Sequence, residues 1–192
     1  GKVGHTFMGW DGTVPATMPA EDLIFNAVWK ADRYTLTFDS DEGSIVASVT
    51  QDYGTAITVP NPTKTGYTFK GWSPALPATM PAEDMTIKAV WEINRYTLTF
   101  EDYDGSLIAK ITEGYGTPVT APTVSPRTGY TFTGWDRTVP TMMTAENITI
   151  KAVWEIVQST ITFDTAGGSV VKSITQDYGT TVAIPADPTK IG

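Results

Sequence analysis

The sequence predicts a mainly β chain made of small units in tandem, each about 62 residues long. Three observations predict this. Trp10, Trp72 and Trp135 are separated by 62 and then 63 positions, and other markers keep the same spacing. Self-similarity at a fixed period of tens of residues marks a repeat architecture. Several segments alternate apolar and polar residues with the period of a half-buried strand, and no segment sustains the 3.6-residue apolar period of a helix.

The markers fix the frame. Gly66-Tyr67-Thr68-Phe69-Lys70-Gly71-Trp72 returns as Gly129-Tyr130-Thr131-Phe132-Thr133-Gly134-Trp135, and the copy at Gly4–Trp10 has His5 in the Tyr position. A Thr-Met-Pro-Ala-Glu-Asp segment and a stretch ending Ala-Val-Trp follow at Thr17–Trp29 and Thr79–Trp91, with a drifted copy at Met142–Trp154. Thr-x-Thr-Phe ends at Phe38, Phe100 and Phe163, and Tyr-Gly-Thr begins at Tyr53, Tyr115 and Tyr178. These offsets divide the chain into the back half of a unit (1–31), two complete units (32–93 and 94–156) and the front half of another (157–192).

Within the first complete unit each element has a reason. Tyr34, Leu36 and Phe38 alternate with Thr35 and Thr37, which gives a first strand with one apolar face. Asp39-Ser40-Asp41-Glu42-Gly43 reads as a turn, since Asp, Ser and Gly supply turn chemistry. Ile45 to Thr50 reads as the returning strand, broken at Tyr53-Gly54. Pro60-Asn61-Pro62-Thr63-Lys64 cannot join a central ladder, because proline has no amide donor. It is expected to be a crossover with room for one short helical turn. Tyr67–Trp72 is a third strand and Ser73–Asp84 a loop. Met85, Ile87, Ala89 and Trp91 alternate with Thr86, Lys88, Val90 and Glu92 in a fourth strand.

Composition narrows the function classes. The net charge of −8 disfavours phosphate backbones and anionic lipid as partners, and no stretch reaches the length of a membrane-spanning helix. With no cysteine, thiolate chemistry, disulfides and Cys-based zinc sites are excluded. His5 is the single histidine and has no recurring nucleophile partner, so no catalytic residues and no enzymatic activity are expected.

The combination of Phe163-Asp164-Thr165-Ala166-Gly167-Gly168-Ser169, Tyr-Gly-Thr, Pro62–Trp72 and the closing Ala-Val-Trp resembles the Listeria–Bacteroides repeat, also called the internalin B-repeat. The similarity covers the whole chain. It implies a β-grasp-like unit on secreted, wall-attached or adhesin-like bacterial proteins, with stalk and spacer roles and some adhesive ones. The double glycine survives only at Gly167-Gly168; the other copies read Asp41-Glu42-Gly43 and Tyr103-Asp104-Gly105.

Several residues invite a sharper reading. Trp29, Trp91 and Trp154 are expected in the core, since large aromatics dominate the cores of small units. Trp10, Trp72 and Trp135 follow a glycine at a strand end; core packing is expected for them too, and they are the candidate contacts for a ligand such as a sugar ring if they lie exposed. Asp39/Asp41 and Asp102/Asp104 alternate as in calcium loops, but no closing glutamate follows and the last copy reads Asp164-Thr165-Ala166, so hairpin turns are expected. Glu21-Asp22 and Glu83-Asp84 are neighbours that would point to opposite faces of a strand, and the third copy has Glu146-Asn147; a turn at strand entry is expected, not an acid–base pair. Lys88 and Lys151 replace Asn26, and an intramolecular isopeptide bond there would need a buried acid beside the lysine.

The expected function is a structural tandem-repeat stalk or filament shaft at the bacterial cell surface or cell wall, extracellular, spacing an adhesive head. The alternative is an adhesion module contacting host glycan or protein through exposed Trp and Pro-rich loops. No cofactor or metal is expected. Only Glu92-Ile93-Asn94-Arg95 separates Trp91 from Tyr96, so the units should couple stiffly, and three of them imply a rod on the order of 75–90 Å. The expected partners are neighbouring repeats of the same or an identical chain, head to tail, with the end of one chain completing a unit with the start of another.

Overall fold

The computed structural model describes residues 1–191, and no helix occurs among them. Residues 1–94 form one compact unit and the chain from residue 95 onward a second, and each is described by itself. The first unit holds β1 (His5–Trp10), β2 (Ala27–Ala31), β3 (Arg33–Asp39), β4 (Val49–Asp52), β5 (Tyr67–Ser73) and β6 (Met85–Ile93). The second holds β7 (Arg95–Glu101), β8 (Leu107–Gly114), β9 (Tyr130–Trp135), β10 (Ile148–Ile156), β11 (Gln158–Ile161) and β12 (Ile174–Asp177).

Each complete repeat is a four-stranded mixed sheet. The orders are β4-β3-β6-β5 and β8-β7-β10-β9. The two central strands run parallel, with Leu36 opposite Met85 and Phe38 opposite Ile87, and Leu98 opposite Ile148 and Phe100 opposite Ile150. The outer pairs are antiparallel. A parallel pair needs a crossover, and the proline-rich segment between β4 and β5 supplies it. The expected helical turn in that crossover is not formed. Pro60 and Pro62 lie too close together to leave an unbroken run of amide donors.

The central strands carry the core because both of their sides are paired and one face is covered. In the first repeat Leu36, Phe38, Val46, Ile57, Trp72, Met80, Ile87 and Ala89 form it; in the second, Leu98, Phe100, Met143 and Ile150. Fully burying one such side chain stabilises by about 1.5–3 kcal/mol. The inward positions of β3 and β6 match the alternation in the sequence.

The returning strand differs from expectation. Ile45 to Thr50 reads as a strand, yet β4 begins only at Val49. Ser44 leaves the ladder: its backbone N–H donates to the Thr63 carbonyl at 2.7 Å, and its hydroxyl accepts from the Thr63 N–H at 2.9 Å. The chain after the turn is thus strapped to the crossover instead of to β3.

Candidate functional site

Each back half carries one aromatic cluster. Phe69 lies 5.3 Å from Trp72 and 5.5 Å from Trp91, ring centre to ring centre. Phe132 meets Trp135 at 5.3 Å and Trp154 at 5.6 Å. Phe7 meets Trp10 and Trp29, each at 5.4 Å. Edge-to-face pairs of this kind contribute about 0.5–1.5 kcal/mol beyond their buried area.

A β-bulge makes the cluster possible. Residues 69 and 72 differ by an odd number, so in a regular strand they would face opposite sides. The pairing shifts between Phe69 and Gly71, and Gly71 takes φ 129°. The extra residue turns Trp72 to the same side as Phe69. Gly9 (φ 125°) and Gly134 (φ 139°) do the same in the other copies. Only glycine adopts such a φ without strain. The signal was visible as a glycine inside a strand pattern with apolar residues at odd spacing.

The bulge decides how the tryptophans are buried. Trp72, a candidate ligand contact, is 9% exposed and packs 5.0 Å from Phe38. A ring closed off in this way offers no face to a sugar. Trp135 is half-buried against Phe100 at 5.0 Å. Trp10 is 52% exposed, in the half repeat that has no equivalent of Phe38 beside it. Trp91 and Trp154, expected in the core, are half-buried; Trp91 packs against the first core, and both reach the hairpin loops, Trp91 Nε1 donating to the Ser40 carbonyl at 3.1 Å and Trp154 Nε1 to the Asp102 carboxylate at 2.6 Å.

The acidic side chains hold backbone. Asp39 accepts from the Asp41 N–H, Asp102 from the Tyr103 N–H, and Asp104 from the Ser106 N–H. The Ser106 hydrogen bonds keep the Asp104 carboxyl below the usual range. Asp84 accepts from the Thr35 N–H at 2.7 Å, and Asn147 accepts from the Thr97 N–H at 2.8 Å. A side-chain carbonyl oxygen is what the position requires, which explains why Asp and Asn exchange there. Lys88 is exposed and ion-paired with Asp41 at 2.6 Å and Asp39 at 3.8 Å, and Lys151 is exposed and pairs with Glu101 at 3.8 Å. Neither lysine has the buried setting that an isopeptide bond needs. The single histidine, His5, donates from Nδ1 to the Val3 carbonyl at 2.8 Å and stacks edge-on against Tyr53.

The junctions at Asp32 and Val157 are each held by backbone hydrogen bonds from both sides. A single residue, Asp32, separates β2 from β3. Its N–H donates to the Gly4 carbonyl at 2.9 Å, and its own carbonyl accepts from the Tyr53 N–H at 2.8 Å. The Thr6 hydroxyl donates to its carboxylate. The Tyr53 ring packs against Gly4, where a Cβ would come within 2.3–2.7 Å of three ring carbons, and Gly4 has φ 65°. Val157 repeats the arrangement with Gly129 and Tyr178, and Tyr178 covers Gly129 just as closely. The Gly and the Tyr of two recurring markers, about 49 positions apart in sequence, are thus one contact.

The comparisons agree with this repeated design. The model of the Listeria-Bacteroides repeat domain matches residues 34–90, 96–153 and 160–192. A protein of Evansella cellulosilytica described as a Gly-rich membrane protein is 32% identical over the whole of this chain, which covers 25% of that relative. Internalin H of Listeria monocytogenes is 42% identical over 70% of this chain and 25% of its own length. The chain therefore spans about a quarter of the length of the relatives it matches. With three matched segments falling on the repeats and a full-length match at this identity, the chain belongs to the Listeria-Bacteroides repeat family.

Proposed function

We propose that the chain is a stalk segment: β-grasp-like repeats stacked as a stiff, elongated rod on the outside of a bacterial cell, displaying a head rather than performing chemistry. The observation that carries this reading is the junction. One residue links consecutive sheets, both its backbone groups are bonded to the flanking repeats, and a tyrosine ring seals a glycine. A linker without freedom transmits orientation and force from one repeat to the next. The strand order, with parallel central strands and antiparallel flanks, supports the β-grasp-like reading, the proline-rich crossover standing where such a unit would carry a helix. The division into 1–31, 32–93, 94–156 and 157–192 belongs to the same proposal. Relatives named as a membrane protein and as an internalin support a surface location.

Small-angle scattering on the dilute chain tests the reading. A rod-like profile with a maximum dimension on the order of 75–90 Å is expected for three stacked units. Tyr53→Ala together with Tyr178→Ala should broaden it by loosening the junctions. A compact globular profile would overturn the spacer.

A further inference from the structure

The chain enters each complete repeat at the start of one central strand and leaves it at the end of the other. In the first repeat it enters β3 at Arg33 and leaves β6 at Ile93; in the second it enters β7 at Arg95 and leaves β10 at Ile156. In each repeat these two strands are neighbours and run parallel. Tension along the chain therefore drags β3 backwards and β6 forwards, and slides one strand along the other. The pairing is staggered as this requires: Leu36–Asp39, the last part of β3, meets Met85–Lys88, the first part of β6. Hydrogen bonds loaded in shear must break together, whereas bonds peeled from one end break in turn. We infer that the central parallel ladder is a shear clamp, which keeps each complete repeat folded while the chain is under tension. The inference deepens the stalk reading and rests on it for the source of that tension.

The seam between the two strands is crossed by more than the ladder. The Asp84 carboxylate accepts the Thr35 N–H at 2.7 Å, which adds one bond just ahead of the first ladder pair. Trp91 Nε1 reaches across to the Ser40 carbonyl, and Lys88 to Asp39 and Asp41. The ion pairs are exposed and add little. Leu36 and Ile87 are fully buried and Phe38 is nearly so, which closes one face of the ladder to the water that would replace a stretched bond. The second repeat keeps the same set with other residues. Asn147 accepts the Thr97 N–H at 2.8 Å beside a ladder that runs from Leu98 to Glu101. Lys151 pairs with Glu101, and Trp154 Nε1 donates to Asp102. The chemistry of these cross-links changes between repeats while their place on the seam does not. The bond to Thr35 or Thr97 acts as the lock on the clamp, since it lies in line with the ladder and is loaded with it.

The test is single-molecule pulling of the 192-residue chain, which has no cysteine, so that two can be placed as handles. Arg33→Cys with Glu92→Cys loads the seam in shear. Arg33→Cys with Glu83→Cys pulls both strands from the same end and peels it. All three side chains are exposed. At equal pulling speed the shear pair should unfold at a several-fold higher force, because forced unfolding is governed by the barrier along the pulled direction and not by equilibrium stability alone. Asp84→Ala should lower the shear force and change the peel force little. Asp84→Asn, which copies the second repeat, should keep the shear force of the parent. Equal forces in the two directions overturn the clamp. A loss in Asp84→Ala that is the same in both directions overturns the lock, since it would mark a bond that only stabilises the fold. A rod-like scattering profile with equal forces would sink the clamp and leave the stalk; a compact profile with direction-dependent forces would sink the stalk and leave the clamp.

Discussion

The hairpins of the two complete repeats have equal length, fifteen positions from Phe38 to Tyr53 and from Phe100 to Tyr115, yet they close in different ways. In the first, the chain passes Asp41 (φ 50°) and Glu42 (φ 66°), and Ser44 then pairs with Thr63 of the crossover. Lys64 Nζ donates to the Asp41 carbonyl at 2.7 Å, which ties the loop to the same segment. In the second, the Asp102 N–H donates to the Ser106 carbonyl, Gly105 takes φ 83°, and β8 resumes at once with Leu107. The difference starts in the crossover. Pro126 stands where the first repeat has Thr63, and a proline has no N–H to give the serine hydroxyl. Arg127 replaces Lys64 and lies 3.6 Å from the rings of both Tyr103 and Tyr130. One copy ties its hairpin by hydrogen bonds to the crossover, the other by a cation between two aromatic faces. The last copy follows the first: Ser169 pairs with Thr189, and Lys190 donates to the Ala166 carbonyl. Two adjacent residues, Thr-Lys or Pro-Arg, thus go with the length of a strand some twenty positions away.

The widest predicted gap between the hairpins is at their shared glycine. A Cβ on Gly43 would lie 2.6 Å from the Trp91 ring and 2.9 Å from the Ser40 carbonyl, whereas one on Gly105 meets nothing within 4 Å and only the strain of φ 83° opposes it. Gly43→Ala should therefore destabilise the first repeat by about 3 kcal/mol, by overpacking. Gly105→Ala should destabilise the second by about 1 kcal/mol. Hydrogen exchange resolved by repeat, at increasing denaturant, measures both; equal losses would break the comparison.

The closing tryptophans come next. Trp154→Phe leaves the Asp102 carboxylate without its indole donor and should cost about 2 kcal/mol, the scale of a hydrogen bond to a charged group. Trp91→Phe releases only a neutral carbonyl and should cost about 1 kcal/mol. If chemical denaturation ranks them the other way, the carboxylate is satisfied by water and the two loops are less different than their contacts imply.

Glu42→Gly should stabilise the first hairpin by about 1 kcal/mol, because glycine removes the left-handed strain and the last copy already has Gly167 at that position with φ 85°. The matching change in the second hairpin, Asp104→Gly, should bring no gain, since it deletes the acceptor of the Ser106 N–H. Melting temperatures of the two variants decide this; a rise for both would remove the conformational argument.

The smallest expected effect is electrostatic. The Lys88 ammonium, hydrogen-bonded to Asp41, holds that carboxyl below its ordinary 3.8, while Asp41 raises Lys88 above 10.5. The Asp41 contribution is complete above pH 3.8 and is lost as pH falls through the lower folded value. The Lys88 contribution is complete below pH 10.5 and is lost as pH rises through the higher folded value. Both groups are solvent-exposed, so the effect on stability is slight. Carboxyl chemical shifts followed through an acid titration should show the Asp41 midpoint rising in Lys88→Met and the Asp104 midpoint unmoved. Movement of Asp104 as well would mean that a change in overall charge, not the local pair, sets both.

Sequence alone determined the repeat period, the mainly β class, the inward faces of the central strands and the family, because these follow from local alternation and from spacing that three copies print independently. Leu36, Phe38, Ile87 and Ala89 are inside for the reason their pattern gives. The tryptophans were not legible in the same way. Period-two reasoning put Trp91 against the core, where it packs half-buried, but left Trp72 between core and ligand contact, and the bulge at Gly71 turned Trp72 inward by adding one residue to one strand. The length of the returning strand was hidden too, since Ile45 to Thr50 reads as a strand in isolation and lost its first residues to a bond with Thr63. The Gly–Tyr seals beside Asp32 and Val157 join two markers that had looked separate. In all three cases the deciding partner is distant in sequence. A pattern along the chain reports which way a side chain points, but which backbone donor is taken first, and which ring fills which gap, is settled only when the segments meet.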